Sequence, residues 1–138
     1  MEKLSKEFKA SGEPLIKIEC GISKGDEKCL IFRNPITVVA LWDTGASYCY
    51  ISPSVAKRLG LVAKGKDSFI TKDGRFTNKN LYIVNLHLTT RWIEPVVAFE
   101  SDCETHQLLI GMDLITRGNF IIKNTTTGFL FSFESSNQ

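Results

Sequence analysis

Ala40-Leu41-Trp42-Asp43-Thr44-Gly45-Ala46-Ser47 joins the end of an apolar run to an abrupt polar break. The run begins at Ile36 and continues through Thr37, Val38 and Val39 without a charge. It is β-branched, apolar and preceded by the breaker Asn34-Pro35. Such a segment predicts a strand buried on both faces. Asp43 therefore falls where a buried strand ends, at an interior or cleft position. By itself the triplet Asp43-Thr44-Gly45 reads first as a plain turn, because Asp bonds its own backbone and Gly accepts turn geometry.

Working outward, the chain reads as a succession of short strands. Leu15 to Ile22 alternates with period two, and Cys29 to Phe32 is a short apolar run after the Gly25-Asp26 turn. Ser52 to Gly60 predicts a helix, with Ser52 as cap, Pro53 in the first turn and Gly60 at the exit. Phe69 to Asn78 predicts a hairpin with Asp73-Gly74 at its tip. Leu81 to Leu88 alternates again, with Tyr82, Val84, Leu86 and Leu88 on one side. Ile93 to Phe99 is a strand, and Ser101 to Gln107 is a polar loop. Phe120 to Lys123 and Phe129 to Phe133 form a closing hairpin, and the last five residues are expected to fray.

A second signature lies some seventy residues after the first: Leu108-Leu109-Ile110-Gly111-Met112-Asp113-Leu114-Ile115. It predicts a short buried strand, a glycine, and a brief helix from Met112 to Arg117. Asp113, at the start of that helix, suits a cap or a favourable contact with the helix dipole.

The two motifs, their order and the hairpin between them resemble the retropepsin-like aspartic proteases, the single-domain family of retroviral type, and especially its bacterial and cellular members. The resemblance spans roughly Leu15 to Phe133. It implies a mostly β fold, the closed β-barrel half of an acid protease with a flap hairpin and one or two short helices, built as one domain over 1–138. It implies an aspartic endopeptidase in which Asp43 is catalytic. A pair of carboxylates roughly 3 Å apart cannot both ionise, so they share one proton and act as base and acid on water and the peptide. One chain carries one Asp-Thr-Gly, so the resemblance implies a homodimer with an Asp43 from each copy.

By the same resemblance, the Thr44 hydroxyl bonds across the twofold axis, Gly45 lets backbone and substrate approach, Ala46 keeps the cleft floor small, and Ser47 supports the loop or substrate. Ile70, Thr71, Lys72, Asp73 and Gly74 fall in the flap and would meet substrate. Ile110, Gly111 and Asp113 form the supporting second motif; Ile110, Phe69, Ile70 and Phe76 either line pockets or pack the core. Viral members commonly carry an acid after Asp-Thr-Gly-Ala and an arginine after the second glycine, where this chain has Ser47 and Met112. Family dimers are usually held by interleaved terminal strands. The apolar tail from Gly128 to Phe133 suits that role better than the N-terminal segment does.

Composition narrows the alternatives. Hydrophobic residues make up 43% and charged residues 23% of 138, which argues for a folded globular chain. A net charge of +2 is too small to point to nucleic acid or an anionic membrane as partner. No apolar run reaches bilayer length, and Met1 to Ala10 lacks the apolar core of a secretory signal, so a cytoplasmic location is expected. Cys20, Cys29, Cys49 and Cys103 form no C-x-x-C pair, and neither His87 nor His106 stands at metal-ligand spacing from them, so no cofactor or metal is expected. Reduced thiols packed as small apolar groups fit best, although Cys20 and Cys29 flank a turn. The competing functional reading is a catalytically silent peptide-binding or dimerisation module of the same fold.

Overall fold

A computed structural model describes residues 2–25, 35–70 and 76–136. Ten strands and two short helices follow one another. The strands are β1 (Lys3–Lys9), β2 (Ile16–Lys24), β3 (Ile36–Trp42), β4 (Cys49–Ile51), β5 (Gly65–Ile70), β6 (Phe76–His87), β7 (Ile93–Glu100), β8 (Leu108–Ile110), β9 (Gly118–Asn124) and β10 (Gly128–Ser135). The helices are α1 (Pro53–Arg58) and α2 (Met112–Ile115). The larger sheet runs β2-β3-β8-β4-β7-β6-β5, and an additional β2–β6 pairing closes its first six strands into a barrel. The expected mostly β fold with a closed barrel is therefore present.

Periodicity explains the barrel wall. Tyr82, Val84 and Leu86 of β6 and Val96 and Ala98 of β7 are all buried, one residue in two, as a sheet with one face on a core requires. β3 departs from the two-sided burial expected of it: Thr37 and Val39 are exposed, and only Ala40, Leu41 and Trp42 are buried consecutively. The buried end lies beside β8, in parallel register Ala40↔Leu108 to Trp42↔Ile110. β6 is longer than expected. The second arm of the predicted hairpin and the Leu81–Leu88 strand are one continuous element, paired with β5 from Gly65↔Leu81 to Ile70↔Phe76.

Local signals set α1. The Ser52 hydroxyl accepts the Val55 N–H at 3.3 Å, Pro53 opens the helix, and Gly60 leaves it at φ +63°. Glu104 from the loop before β8 accepts the Ser54 N–H at 2.9 Å.

The second sheet has the order β1-β10-β9. Its Phe131 and Phe133 are wholly buried, with ring centroids 5.1 and 5.0 Å from that of Trp42. Trp92 stacks on Phe133 at 5.2 Å. Aromatic pairs of this kind add about 0.5–1.5 kcal/mol each beyond their burial. Two terminal strands complete this sheet, and the second corrects an expectation. The N-terminal segment is a strand, paired with β10 from Lys3↔Glu134 to Lys9↔Gly128. The C-terminal strand runs on to Ser135, so fraying does not begin at residue 134. Cys20 and Cys49 are buried free thiols as expected, Cys103 is exposed, and Cys29 lies outside the described residues.

Candidate active site

β8 lies between β3, its parallel neighbour, and β4, its antiparallel one. The chain from β3 to β4 must therefore arch across the end of β8, and residues 43–48 are that arch. Asp43 stands at its root. Its N–H donates to the Ile110 carbonyl at 2.9 Å, and one carboxylate oxygen accepts the Gly45 N–H at 2.8 Å. The Ala46 N–H donates to the Asp43 carbonyl at 3.2 Å. Asp43 is half-buried, while Thr44, Gly45 and Ser47 are exposed and Ala46 is partly covered. The triplet is thus a turn by its own hydrogen bonding, and also a turn that holds a carboxylate at a defined place on the surface.

The second motif supports the arch from below. Met112 N–H donates to the Ala46 carbonyl at 2.8 Å, and Asp113 N–H to the Ser47 carbonyl at 3.1 Å. Those donors are the otherwise unpaired N–H groups of the α2 N-terminus, so helix start and arch satisfy each other. Gly111 is buried under the crest; a Cβ there would lie 2.8 Å from the Ala46 carbonyl oxygen and 2.7 Å from the Tyr48 carbonyl carbon. Only a residue without a side chain lets the two backbones come this close. Ile110 is wholly buried, which settles it as core and not pocket lining.

Of the two roles expected for Asp113, cap or favourable contact with the helix dipole, it has the second: it is the acidic residue in the first turn of α2. The cap position is Gly111, with no side-chain bond. The Asp113 carboxylate instead accepts the Leu114 N–H at 2.9 Å and the Cys49 thiol at 3.1 Å. Burial chiefly pushes the Cys49 thiol up to about 12, and the charge of Asp113 adds to it. The thiol is therefore a neutral donor bridging arch and helix. Beside the arch, Tyr48 meets Phe99 edge-on at 5.3 Å and Tyr50 packs on the same ring at 6.0 Å. Burial raises the Tyr50 hydroxyl above its ordinary range. Sequence reasoning missed Cys49 because its carboxylate partner is 64 residues away and a lone cysteine carries no spacing signal.

Of the expected flap residues, Ile70 ends β5, opposite Phe76, while Thr71, Lys72, Asp73 and Gly74 lie outside the described residues. Among the described residues no three His, Cys, Asp or Glu side chains are grouped to hold a metal, and no helix is long and apolar enough to cross a membrane.

A closed β-barrel whose Asp-Thr-Gly arch is braced by a hydrophobic-hydrophobic-glycine strand has the architecture of a retropepsin-like aspartic protease. The chain belongs to the aspartyl protease family, whose model, described as "Aspartyl protease", matches residues 31–114, more than half of the sequence. Two solved structures share the fold. A retropepsin-like aspartic protease from Rickettsia conorii superposes with a TM-score of 0.64 at 14% identity, covering 97% of this chain and 94% of that one. The retroviral protease-like domain of Ddi1 from Leishmania major superposes with 0.52 at 15% identity, over 87% and 95%. Comparison with curated protein sequences gives no match.

Proposed function

We propose that the protein is an aspartic endopeptidase that hydrolyses peptide bonds with water activated between Asp43 of two copies. The observation that carries this is the hold on Asp43: its N–H tied to Ile110, one carboxylate oxygen tied to Gly45, and its arch fixed by two donors from α2. A catalytic carboxylate needs a set position, and this one has it at the half-exposed end of a buried strand. Paired with its symmetry mate, it shares one proton; the ionised member takes a proton from water, and the protonated member donates to the carbonyl oxygen or leaving nitrogen. The two apparent pKa values then belong to the pair. In this reading Thr44, at the exposed crest, bonds its counterpart across the axis, and Gly45 and Ser47 meet the substrate strand. Incubation with a mixed peptide library at mildly acidic pH tests the reading. Wild type should cleave and Asp43→Asn should not. Equal cleavage by both, or binding without cleavage by wild type, would overturn it.

A further inference from the structure

β6 pairs with β7 along one edge, from Leu81 to His87. Its other edge is shared: β5 takes Phe76 to Leu81, and β2 takes Val84 to His87. β2 ends and β5 begins between these two stretches, so the sheet has a notch beside Tyr82 and Ile83. The Gly25 N–H closes one side on the Ile83 carbonyl at 2.9 Å, and the Lys64 N–H closes the other on the Leu81 carbonyl at 2.8 Å. The notch encloses about 210 Å³ and is lined by Lys24, Gly25, Leu61, Val62, Lys64 and Ile83.

Its lining is apolar in the middle and cationic at the flanks. Val62 is 68% exposed, the most exposed large apolar side chain among the described residues. Lys24 and Lys64 stand on either side, exposed Lys66 follows on β5, and Lys57 lines the neighbouring hollow across Leu61. No Asp or Glu lines the notch. Glu100, in the neighbouring hollow, is engaged by the Tyr82 hydroxyl at 2.6 Å. The whole chain carries a net charge of only +2, so the lysines here are a local excess.

We propose that this notch docks an acidic polypeptide segment, which seats one apolar side chain against Leu61, Val62 and Ile83 and sets its carboxylates against Lys24 and Lys64. The volume decides the kind of occupant: small-molecule sites begin at about 300 Å³, whereas this recess holds one side chain of a larger partner. No aromatic ring lines it to stack a base, and it lacks the broad apolar face that lies in a membrane surface. The notch is also remote from Asp43. Ile22 pairs with Ile36 at its end of the barrel and Ile16 with Trp42 at the arch end, and the nine residues of β2 span about 25 Å between them. Docking here is therefore independent of how Asp43 acts.

Fluorescence anisotropy tests this on the intact chain carrying Asp43→Asn, so that no cleavage alters the probe. The probe is a labelled peptide with one leucine between runs of glutamate. It should bind, and its Kd should rise by about tenfold or more between about 0.01 M and 1 M salt, as screening sets in. Lys24→Glu with Lys64→Glu should raise Kd at low salt by about tenfold or more, and Val62→Ser by about fivefold. Melting temperature checks that each variant folds. Should one fail to, the unsubstituted notch decides alone, by slowed exchange of the Val62 to Lys64 amides when peptide is added. Absent binding, binding unchanged in both variants, or equal binding of a peptide with lysine in place of glutamate overturns the docking surface. Tighter binding of phosphatidylserine vesicles or single-stranded DNA at the same lysines overturns the choice of a polypeptide. None of these outcomes bears on the paired carboxylates, which the cleavage experiment tests separately.

Discussion

Gly111→Ala probes the contact that sets the arch. The added Cβ would meet the Tyr48 carbonyl carbon at 2.7 Å and the Ala46 carbonyl oxygen at 2.8 Å, where ordinary contact begins at 3.4 Å. The Tyr48 carbonyl oxygen lies nearer still, and all three are backbone atoms, so no rotamer change relieves the clash; the arch must lift by about 1 Å. Lifting it lengthens the Met112-to-Ala46 and Asp113-to-Ser47 bonds, each contributing about 1 kcal/mol net. Overpacking adds about 1–3 kcal/mol. A loss of about 2–4 kcal/mol in urea-derived stability is expected. Asp43 moves with the arch, and a misplacement approaching 1 Å costs up to about 100-fold in rate. kcat/KM on a cleaved peptide, measured where dimer is saturated, should fall by about 10- to 100-fold. Stability within about 0.5 kcal/mol of wild type together with unchanged kcat/KM would refute the reasoning.

Ser52→Ala removes the acceptor for the Val55 N–H and should cost about 1 kcal/mol in unfolding experiments without altering kcat/KM. Burial raises the Cys20 and Cys49 thiols from 9.0 to about 12, so the unfolded chain loses those protons first as pH rises. The stability they contribute is therefore complete below pH 9 and lost between about 9 and 12. The decline approaches about 1.4 kcal/mol per pH unit for each thiol. Urea midpoints from pH 7 to 10.5 should fall more steeply for wild type than for Cys20→Ala/Cys49→Ala.

The parts of this fold that were legible in the sequence are those with local causes. Ile36 to Trp42 is a strand because its residues are β-branched and apolar in a row, and α1 is a helix because Ser52, Pro53 and Gly60 mark its ends. Both motifs could be read separately, but their contact could not: Gly111 under Ala46 and Tyr48 is a consequence of β8 lying between β3 and β4. β1 was hidden for a different reason. Its only inward apolar residues are Leu4 and Phe8, four apart, which suits a helix as well as a strand, and Lys6 between them lies 5.3 Å over the Phe8 ring. Its partner, β10, lies at the opposite end of the chain, so no local pattern announces the pairing. The Cys49–Asp113 bond was invisible for the same reason of sequence distance.

Mixing wild type with Asp43→Asn asks most directly whether two chains build one site. If every site takes an Asp43 from each of two copies, inactive chains capture active ones, and cleavage per wild-type chain falls to about half in an equal mixture and to about a tenth at ninefold excess. Cleavage per wild-type chain that stays constant at every ratio, with exchange of subunits verified, would contradict the account.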